Sequence, residues 1–266
     1  MPRYRLVAVD LDETLLGEDH RVSPGNYDAV QRLKAAGVEV VIASGRMHEN
    51  TTSFAQELGL GGPIVSYNGA MVKELSSGEV YYHMPLPSQH ADAIVDYANE
   101  HGHHLNYYLD DCLYVREKTK WSDLYSSRTG SIVHPVGDLV QFRGRTPTKI
   151  ILLDSPDMTG RLLKEMADRW RNELYVTITN PEYLEFMCAG VSKAVGLAAI
   201  GERLGIGAQD MAAFGDSYND IPMLRYCGLG VAMGNAHDEV KRSADQVAPR
   251  HSEDGFALAV EKWVLN

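Results

Sequence analysis

A short apolar run, Leu6-Val7-Ala8-Val9, lies near the start of the chain and ends at Asp10. Consecutive apolar residues without polar alternation are typical of a strand that is buried on both faces of a parallel sheet. The run therefore predicts a buried first strand, with Asp10 at its carboxyl end.

Helices and strands are predicted to alternate after this strand. Ser23 followed by Pro24 predicts a helix start, because serine caps a first turn and proline suits the first helical position. Gly37 ends that helix. The alternation continues with a strand at 38–43, a helix at 48–58 and a strand at Pro63–Ser66, and it returns later with a helix at 192–204 and strands at 211–214 and 228–232. Such alternation indicates a parallel sheet.

The segment between these two regions has a looser pattern. It predicts helices at 88–100 and 157–173, a hairpin around Asp110-Asp111 and a strand at 149–153. The sequence therefore predicts an α/β fold. Its core is a doubly wound, mostly parallel, Rossmann-like sheet built from residues 1–83 and 189–266, and an α+β cap domain is inserted at 84–188.

The charge of the chain limits the partners that we expect. The formal net charge is −11, and the 25 basic residues form no block or stripe. We therefore expect neither nucleic acid nor a membrane surface as a partner, because both attract clustered Lys and Arg. An acidic chain that binds anionic substrates must concentrate positive charge locally, with a metal ion, a lysine or a helix N-terminus.

The cysteines and the apolar runs bear on cellular location. Cys112, Cys188 and Cys227 are far apart in sequence and show no disulfide pattern, which favours a reducing setting. The run before Asp10 is too short for a signal-peptide core, and no later run has the length of a membrane span. We expect a cytoplasmic protein that is neither exported nor embedded in a membrane.

Two acidic clusters follow predicted strands. Asp10-Leu11-Asp12 comes after the first strand, and Gly215-Asp216-Ser217-Tyr218-Asn219-Asp220 comes after the strand at 211–214. Open α/β sheets bind ligands at the carboxyl ends of their strands, so we expect these carboxylates in one crevice. Taken alone, Asp10-Leu11-Asp12 is also compatible with a simple polar turn.

Converging carboxylates repel one another unless a hard cation lies among them. Mg²⁺ takes oxygen ligands from carboxylates, water and substrate phosphate, so the two clusters predict a magnesium and phosphate site. The spacing does not match a calcium-binding EF-hand loop, and the sequence lacks paired Cys or His residues for zinc.

Two further segments offer groups that bind anions. Ser44-Gly45-Arg46 ends the second strand, where a hydroxyl and backbone N–H groups at a helix start can hold phosphate oxygens. Lys193 lies just inside the helix that Ser192 caps, and it adds its charge to the positive end of the helix dipole. Each also has a simpler interpretation, an N-cap for Ser44 and a solvated side chain for Lys193.

Taken in order, four segments resemble the motifs of the haloacid dehalogenase-like phosphatases. These segments are Asp10-Leu11-Asp12-Glu13-Thr14-Leu15-Leu16, Ser44-Gly45-Arg46, Lys193 and Gly215-Asp216-Ser217-Tyr218-Asn219-Asp220. The features that are similar to the Cof-type subfamily with its α/β cap are the long insertion, Tyr67-Asn68-Gly69-Ala70, Val231-Ala232-Met233-Gly234-Asn235-Ala236 and Glu253-Asp254-Gly255. The resemblance covers essentially the whole chain.

The resemblance implies a mechanism and a set of site residues. Asp10 would attack phosphorus to form an aspartyl-phosphate, and Asp12 would protonate the leaving oxygen and later activate water. The implied catalytic residues are Asp10, Asp12 and Lys193, the phosphate-binding residues are Leu11, Ser44, Gly45, Lys193 and Asn219, and the magnesium ligands are Asp10, the backbone carbonyl of Asp12, Asp216 and a supporting Asp220.

The sequence departs from the resembled pattern at Glu13 and Ala194, where many relatives have glycine. Neither change removes one of the implied catalytic groups. Glu13 places a further negative charge beside the site, and we expect its side chain to face outward.

The expected function is a magnesium-dependent phosphomonoesterase that acts on small phosphorylated metabolites, such as sugar phosphates or nucleotide and cofactor phosphates. We expect a monomer or a weak homodimer, with cap residues that set substrate choice. Two alternatives remain open, a sugar phosphomutase of the same superfamily and a noncatalytic regulator that binds phosphometabolites. A carbon–halogen hydrolase is disfavoured, because it would not need Asp12.

Overall fold

Strands and helices alternate through most of the computed structural model, which describes residues 3–266. In chain order the elements are β1 (Leu6–Val9), α1 (Pro24–Ala35), β2 (Glu39–Ile42), α2 (His48–Glu57), β3 (Pro63–Ser66), β4 (Met71–Glu74), β5 (Val80–His83), α3 (Ser88–His101), β6 (His104–Leu109), β7 (Cys112–Val115), α4 (Lys120–Thr129), β8 (Val133–Pro135), β9 (Lys149–Leu153), α5 (Pro156–Arg169), β10 (Leu174–Asn180), β11 (Tyr183–Cys188), α6 (Lys193–Leu204), β12 (Met211–Gly215), α7 (Ile221–Tyr226), β13 (Leu229–Ala232), α8 (Asp238–Arg242), β14 (Gln246–Val247) and α9 (Gly255–Val260). They belong to two compact units, one made of the chain up to Tyr82 with Ser192–Asn266 and the other of His83–Val191.

The first unit is built on a parallel sheet with the strand order β14-β13-β12-β1-β2. Successive residues of β1 point to opposite faces, so Val7 and Val9 pack in one apolar layer and Leu6 and Ala8 in the other. Helices α1 and α9 contribute to the first layer, and α6 and α7 contribute to the second. The predicted doubly wound parallel core is confirmed.

The strand predicted at Pro63–Ser66 is present, but its pairing differs from that of the parallel strands. It pairs antiparallel with β4, in a three-stranded sheet of order β3-β4-β5. It meets the main sheet through a parallel bridge between Ala43 and Val65. The sequence analysis did not identify β4 and β5.

The second unit contains a six-stranded sheet of order β10-β11-β9-β6-β7-β8, in which the pairs are antiparallel except for β7 with β8. Helices α3 and α5 pack on one of its faces. Asp110 and Asp111, both with positive φ, form the predicted hairpin between β6 and β7. Helix α5 ends at Arg169, before the predicted residue 173, because the chain turns through left-handed Asn172. This unit has the expected α+β character.

Among residues 3–266, no helix combines the length and the apolar character that a membrane crossing requires. Cys112, Cys188 and Cys227 are free thiols, and burial raises the pKa of the Cys227 thiol to about 12.

A buried ion pair lies within the sheet of the second unit. Lys149 on β9 and Glu185 on β11 are 3.3 Å apart, and each is less than a tenth exposed. Thr179 donates to the second carboxylate oxygen of Glu185 at 2.7 Å. Although burial alone lowers the pKa of Lys149, the neighbouring Glu185 carboxylate raises it above its usual value. Lys149 is therefore charged, and its buried ammonium group needs the Glu185 carboxylate as a counter-charge.

Glu185→Leu is expected to destabilise the protein by about 3 kcal/mol, because it leaves the Lys149 ammonium buried without its carboxylate. Replacing both residues, as Lys149→Met with Glu185→Leu, should restore most of that free energy of unfolding. Denaturant unfolding of the two variants measures the difference. A double variant that is less stable than Glu185→Leu would contradict this account of the pair.

Candidate active site

Three loops lie side by side at the carboxyl end of the parallel sheet, because β12, β1 and β2 are neighbours in it. Asp10 directly follows β1, and its N–H donates to the Phe214 carbonyl of β12 at 3.0 Å. The 216–220 loop follows β12, and Ser44 follows the end of β2. This arrangement agrees with the prediction that the acidic clusters share one edge of the sheet.

Lys193 joins two of these loops through its ammonium group. Its Nζ donates to Asp10 Oδ1 and to Asp220 Oδ1, at 2.5 Å each. All three residues are buried, and the lysine is fully so. Although burial lowers the pKa of Lys193, the carboxylates of Asp10 and Asp220 raise it above its usual value. Lys193 is therefore a fixed positive charge rather than a solvated side chain.

Asp220 fixes the conformation of the loop after β12. One of its oxygens accepts from Lys193, and the other accepts from the backbone N–H groups of Asp216 and Ser217 at 2.9 Å each. Gly215 is required next to it, because a Cβ there would lie 2.5 Å from Asp220 Cγ. Both carboxylate oxygens of Asp220 thus have protein partners.

Asp216 is the second buried acid of this loop. Its oxygens accept from the hydroxyl of Thr14 at 3.0 Å and from that of Ser217 at 3.2 Å. Burial, and then the negative charge of Asp220, raise the pKa of Asp216 to about 7. Hydroxyl donors are weaker partners for a carboxylate than an ammonium group, so Asp216 lacks a full counter-charge.

The donor set fits a hard divalent cation. Asp10, Asp216 and Asp220 each offer a carboxylate oxygen, and these atoms all lie within 4.8 Å of one another. Burial raises the pKa of Asp10 well above its usual value, and the charges of Asp220 and Asp216 add to this, although Lys193 opposes them. Three buried acids with one ammonium group leave negative charge uncompensated. Carboxylate oxygens are the ligands that Mg²⁺ prefers.

The side chain of Asp12 lies apart from this cluster. Its two oxygens accept from Arg46 Nε at 2.9 Å and Arg46 Nη2 at 2.6 Å, which is a bidentate ion pair. The Asp12 side chain is 46% exposed, and that of Arg46 is 18% exposed. Sequence reasoning grouped Asp12 with Asp10, but did not identify Arg46 as its partner.

The remaining predicted residues are Ser44, Asn219, Gly45 and Leu11. Ser44 is buried, and its hydroxyl oxygen accepts a hydrogen bond from the backbone N–H of Arg46 at 3.2 Å. Asn219 Nδ2 donates to Asn68 Oδ1 at 2.8 Å, which links the loop after β12 to the loop after β3. Gly45 lies against the Asn68 amide, and Leu11 is buried beside Asp10.

Four residues whose side chains contact predicted site residues were not among the predicted ones, namely Thr14, Arg46, Asn68 and Ser217. All four stand within segments that the sequence analysis singled out, but a motif does not show which side chains its members contact. Asn68 also had a positional signal, because it lies two residues after the predicted strand Pro63–Ser66.

Comparisons with known proteins agree with the fold and with the motifs. A family model described as haloacid dehalogenase-like hydrolase matches residues 7–260. Two proteins of Bacillus subtilis (strain 168), the 5-amino-6-(5-phospho-D-ribitylamino)uracil phosphatases YitU and YcsE, are each 31% identical to the chain; the matches cover 97% and 98% of it and 97% and 96% of the relatives. The crystal structure of a haloacid dehalogenase-like hydrolase from Bacteroides thetaiotaomicron has a TM-score of 0.90 at 27% identity, covering 97% of this chain and 99% of that one.

The raised pKa of Asp216 predicts that the metal-free protein loses stability as the pH rises. The pKa is about 7 in the folded state, against about 4 for an aspartate in an unfolded chain. Between these values the folded state binds more protons than the unfolded state. The contribution of Asp216 is therefore fully present below pH ~4 and is lost as the pH rises through 7.

Asp216→Asn removes this titration. Relative to the wild type, it should raise the free energy of unfolding by about 2–3 kcal/mol more at pH 8 than at pH 5. Denaturant unfolding in the presence of EDTA measures both values. Asp28→Asn, an exposed change on α1, serves as the control and should show the same effect at both pH values. A pH-independent effect of Asp216→Asn would contradict the prediction.

Proposed function

Since the chain belongs to the haloacid dehalogenase-like hydrolase family and is a phosphoric monoester hydrolase, we propose that it requires magnesium and acts through an aspartyl-phosphate on Asp10. The observation that carries this proposal is the buried Asp10 carboxylate at the end of β1, held 2.5 Å from Lys193. A nucleophile must be fixed and ionised; the ammonium group fixes the Asp10 carboxyl and, against the effect of burial, lowers its pKa.

The reaction has two steps. First, an Asp10 oxygen attacks phosphorus, the ester P–O bond breaks, and the leaving alkoxide takes a proton from Asp12. Second, water attacks the phosphorus of the aspartyl-phosphate, the acyl phosphate P–O bond breaks, and Asp12 accepts the proton of the water. The products are an alcohol and inorganic phosphate, and Asp10 and Asp12 return to their starting states.

The Asp12–Arg46 pair is relevant to both steps. The bidentate ion pair with Arg46 holds the Asp12 carboxyl group in one orientation, from which it can accept a proton from water in the second step. In the first step Asp12 must carry a proton, and one of the two bonds to Arg46 must then be released. The partly exposed position of Asp12 gives it access to solvent for this exchange.

We assign the metal ligands mainly to Asp10 and Asp216, together with the backbone carbonyl of Asp12. Asp220 supports them, because both of its oxygens already accept hydrogen bonds from Lys193 and from backbone N–H groups. A bound Mg²⁺ would neutralise charge on the acids and on the phosphoryl oxygens.

The phosphoryl group would contact Lys193 Nζ, the Ser44 hydroxyl, the Asn219 amide and the backbone N–H groups of Leu11 and Gly45. Positively charged and neutral donors in a fixed arrangement suit phosphoryl transfer, because its transition state spreads charge over the equatorial oxygens. Leu11, Ser44, Gly45 and Asn219 lie on loops at one edge of the sheet, and Lys193 lies at the start of α6, so the fold holds these donors in place.

The substrate is proposed to be a small phosphorylated metabolite. Two relatives are named as phosphatases of 5-amino-6-(5-phospho-D-ribitylamino)uracil, and this compound belongs in a first substrate panel with sugar, nucleotide and cofactor phosphates. We propose that residues 84–188 select among such substrates and that the protein acts in the cytoplasm, where its three free thiols would stay reduced. Phosphate release without an added bisphosphate would exclude an obligatory phosphomutase.

Asp10→Asn should lower kcat for p-nitrophenyl phosphate by about a thousandfold or more, because an amide cannot form the phosphoenzyme. Trapping of phosphorylated protein with a labelled substrate should be lost together with turnover. Asp28→Asn replaces an exposed carboxylate by an amide and should leave kcat unchanged. Undiminished turnover by a correctly folded Asp10→Asn variant would overturn the assignment.

Glu13 is exposed, as expected, and it has a left-handed backbone with φ of 55° and ψ of 15°. Glu13→Gln keeps this backbone and removes a charge that acts on Asp216. Magnesium should therefore bind about two- to threefold more weakly at low salt, because the exposed carboxylate no longer attracts the cation, and this loss of affinity should shrink with added salt because an exposed charge is screened. Titration calorimetry measures the affinity.

Glu13→Gly is the matched variant, because it also relieves the left-handed backbone. It should add about 1 kcal/mol to the free energy of unfolding, whereas Glu13→Gln should not. The two variants thus separate charge from backbone conformation. Equal magnesium affinity in the wild type and in Glu13→Gln at low salt would show that the charge of Glu13 does not reach the site.

A further inference from the structure

The loop that follows β3 has an unusual backbone. Tyr67, Asn68 and Gly69 have φ values of 51°, 56° and 99°, so three successive residues are left-handed. This conformation costs about 1 kcal/mol or more for each residue other than glycine. Tyr67 and Asn68 are buried. Contacts with the surrounding structure must therefore hold the loop in this conformation.

Part of these contacts come from the Ser44 loop. The N–H of Tyr67 donates to the Arg46 carbonyl at 2.8 Å, and the N–H of Asn68 donates to the Ser44 carbonyl at 3.0 Å. The N–H of Ser44 in turn donates to the Val65 carbonyl at 2.8 Å. The loop after β3 thus donates two backbone hydrogen bonds to the Ser44 loop, and Ser44 donates one to β3 itself.

On its other side the loop meets the start of α6. Gly69 lies so close to Ser192 that a Cβ at position 69 would overlap the Ser192 carbonyl. This Cβ would also lie 3.1 Å from the backbone nitrogen of Lys193. Only glycine fits here, by its size and by its φ. The loop after β3 therefore packs between the Ser44 loop and Lys193, which carries the ammonium group of the site.

The Asn68 side chain extends from this fixed backbone to Asn219. Asn68 Oδ1 accepts from Asn219 Nδ2 at 2.8 Å. The same oxygen would lie 2.8 Å from a Cβ on Gly45, so the absence of a side chain at position 45 makes room for it. An amide NH₂ group has two hydrogens, and the bond to Asn68 uses one while it sets the direction of the other.

We propose that Asn68 is a positioning residue that orients the Asn219 amide toward the phosphoryl group. This inference rests on the proposed function, in which Asn219 contacts a phosphoryl oxygen. Without Asn68, the Asn219 amide rotates among several orientations, and its second N–H no longer meets the phosphate at a fixed angle. The left-handed backbone of Asn68 is the price of placing this amide between two loops.

The test is a double-mutant cycle of Asn68→Gly and Asn219→Ala. Glycine adopts a φ of 56° freely, so Asn68→Gly removes the amide and keeps the loop. Each single variant should raise the KM for p-nitrophenyl phosphate, and the dissociation constant of inorganic phosphate measured by calorimetry with magnesium, by about tenfold. Both constants of the double variant should lie within about threefold of those of Asn219→Ala, because Asn68 acts through Asn219.

Asn172→Gly is a matched control, since it relieves a left-handed asparagine with φ of 67° that is exposed in the other unit. It should leave both constants unchanged. The inference would be overturned if the fold-change of the double variant were the product of the two single fold-changes. An unchanged phosphate dissociation constant in Asn68→Gly would also overturn it.

Phosphate binding requires no turnover, so the experiment separates the two proposals. A wild-type protein that binds phosphate but hydrolyses no ester would contradict the proposed function, and the cycle in dissociation constants would still decide the role of Asn68. A wild-type protein that binds no phosphate would contradict both.

Discussion

The site depends first on the Lys193 ammonium between the carboxylates of Asp10 and Asp220. Each distance is 2.5 Å, and all three residues are buried. A buried carboxylate without a counter-charge is protonated or destabilises the fold. Because Asp10 follows β1 and Asp220 closes the loop after β12, Lys193 also connects the start of α6 to both strands. The same contact thus supports the fold and favours the ionised form of the nucleophile.

One lysine does not balance the charge of three acids. This imbalance favours a bound metal ion, and the metal ion explains how an acidic chain can bind an anion. With Asp10, Asp216 and Asp220 ionised, the cluster carries two uncompensated negative charges, which would repel a phosphate dianion. A divalent cation would cancel them and would leave the ammonium group and the N–H donors to act on the phosphate. We therefore expect affinity for phosphate to depend on the metal.

The sequence predicted the acids better than it predicted their neighbours. Strand ends could be read from apolar runs, and the geometry of a parallel sheet then places Asp10 and Asp216 at one edge. The Asn68–Asn219 bond could not be read in this way, because it depends on left-handed residues that only tertiary contacts stabilise. The β3-β4-β5 sheet was missed for a related reason, since its pairing is local and departs from the βα alternation seen elsewhere in that unit.

The ion pairs of Asp10 and Asp12 differ in exposure, and this difference matches the tasks of the two acids. The Lys193 and Asp10 side chains are 0% and 9% exposed, whereas those of Arg46 and Asp12 are 18% and 46% exposed. A nucleophile gains from burial, because a fixed and dry carboxylate needs little reorganisation to attack. An acid–base residue must exchange its proton and change partners in each cycle, which a buried pair would oppose. A guanidinium at the edge of the site can hold Asp12 in place and still release it.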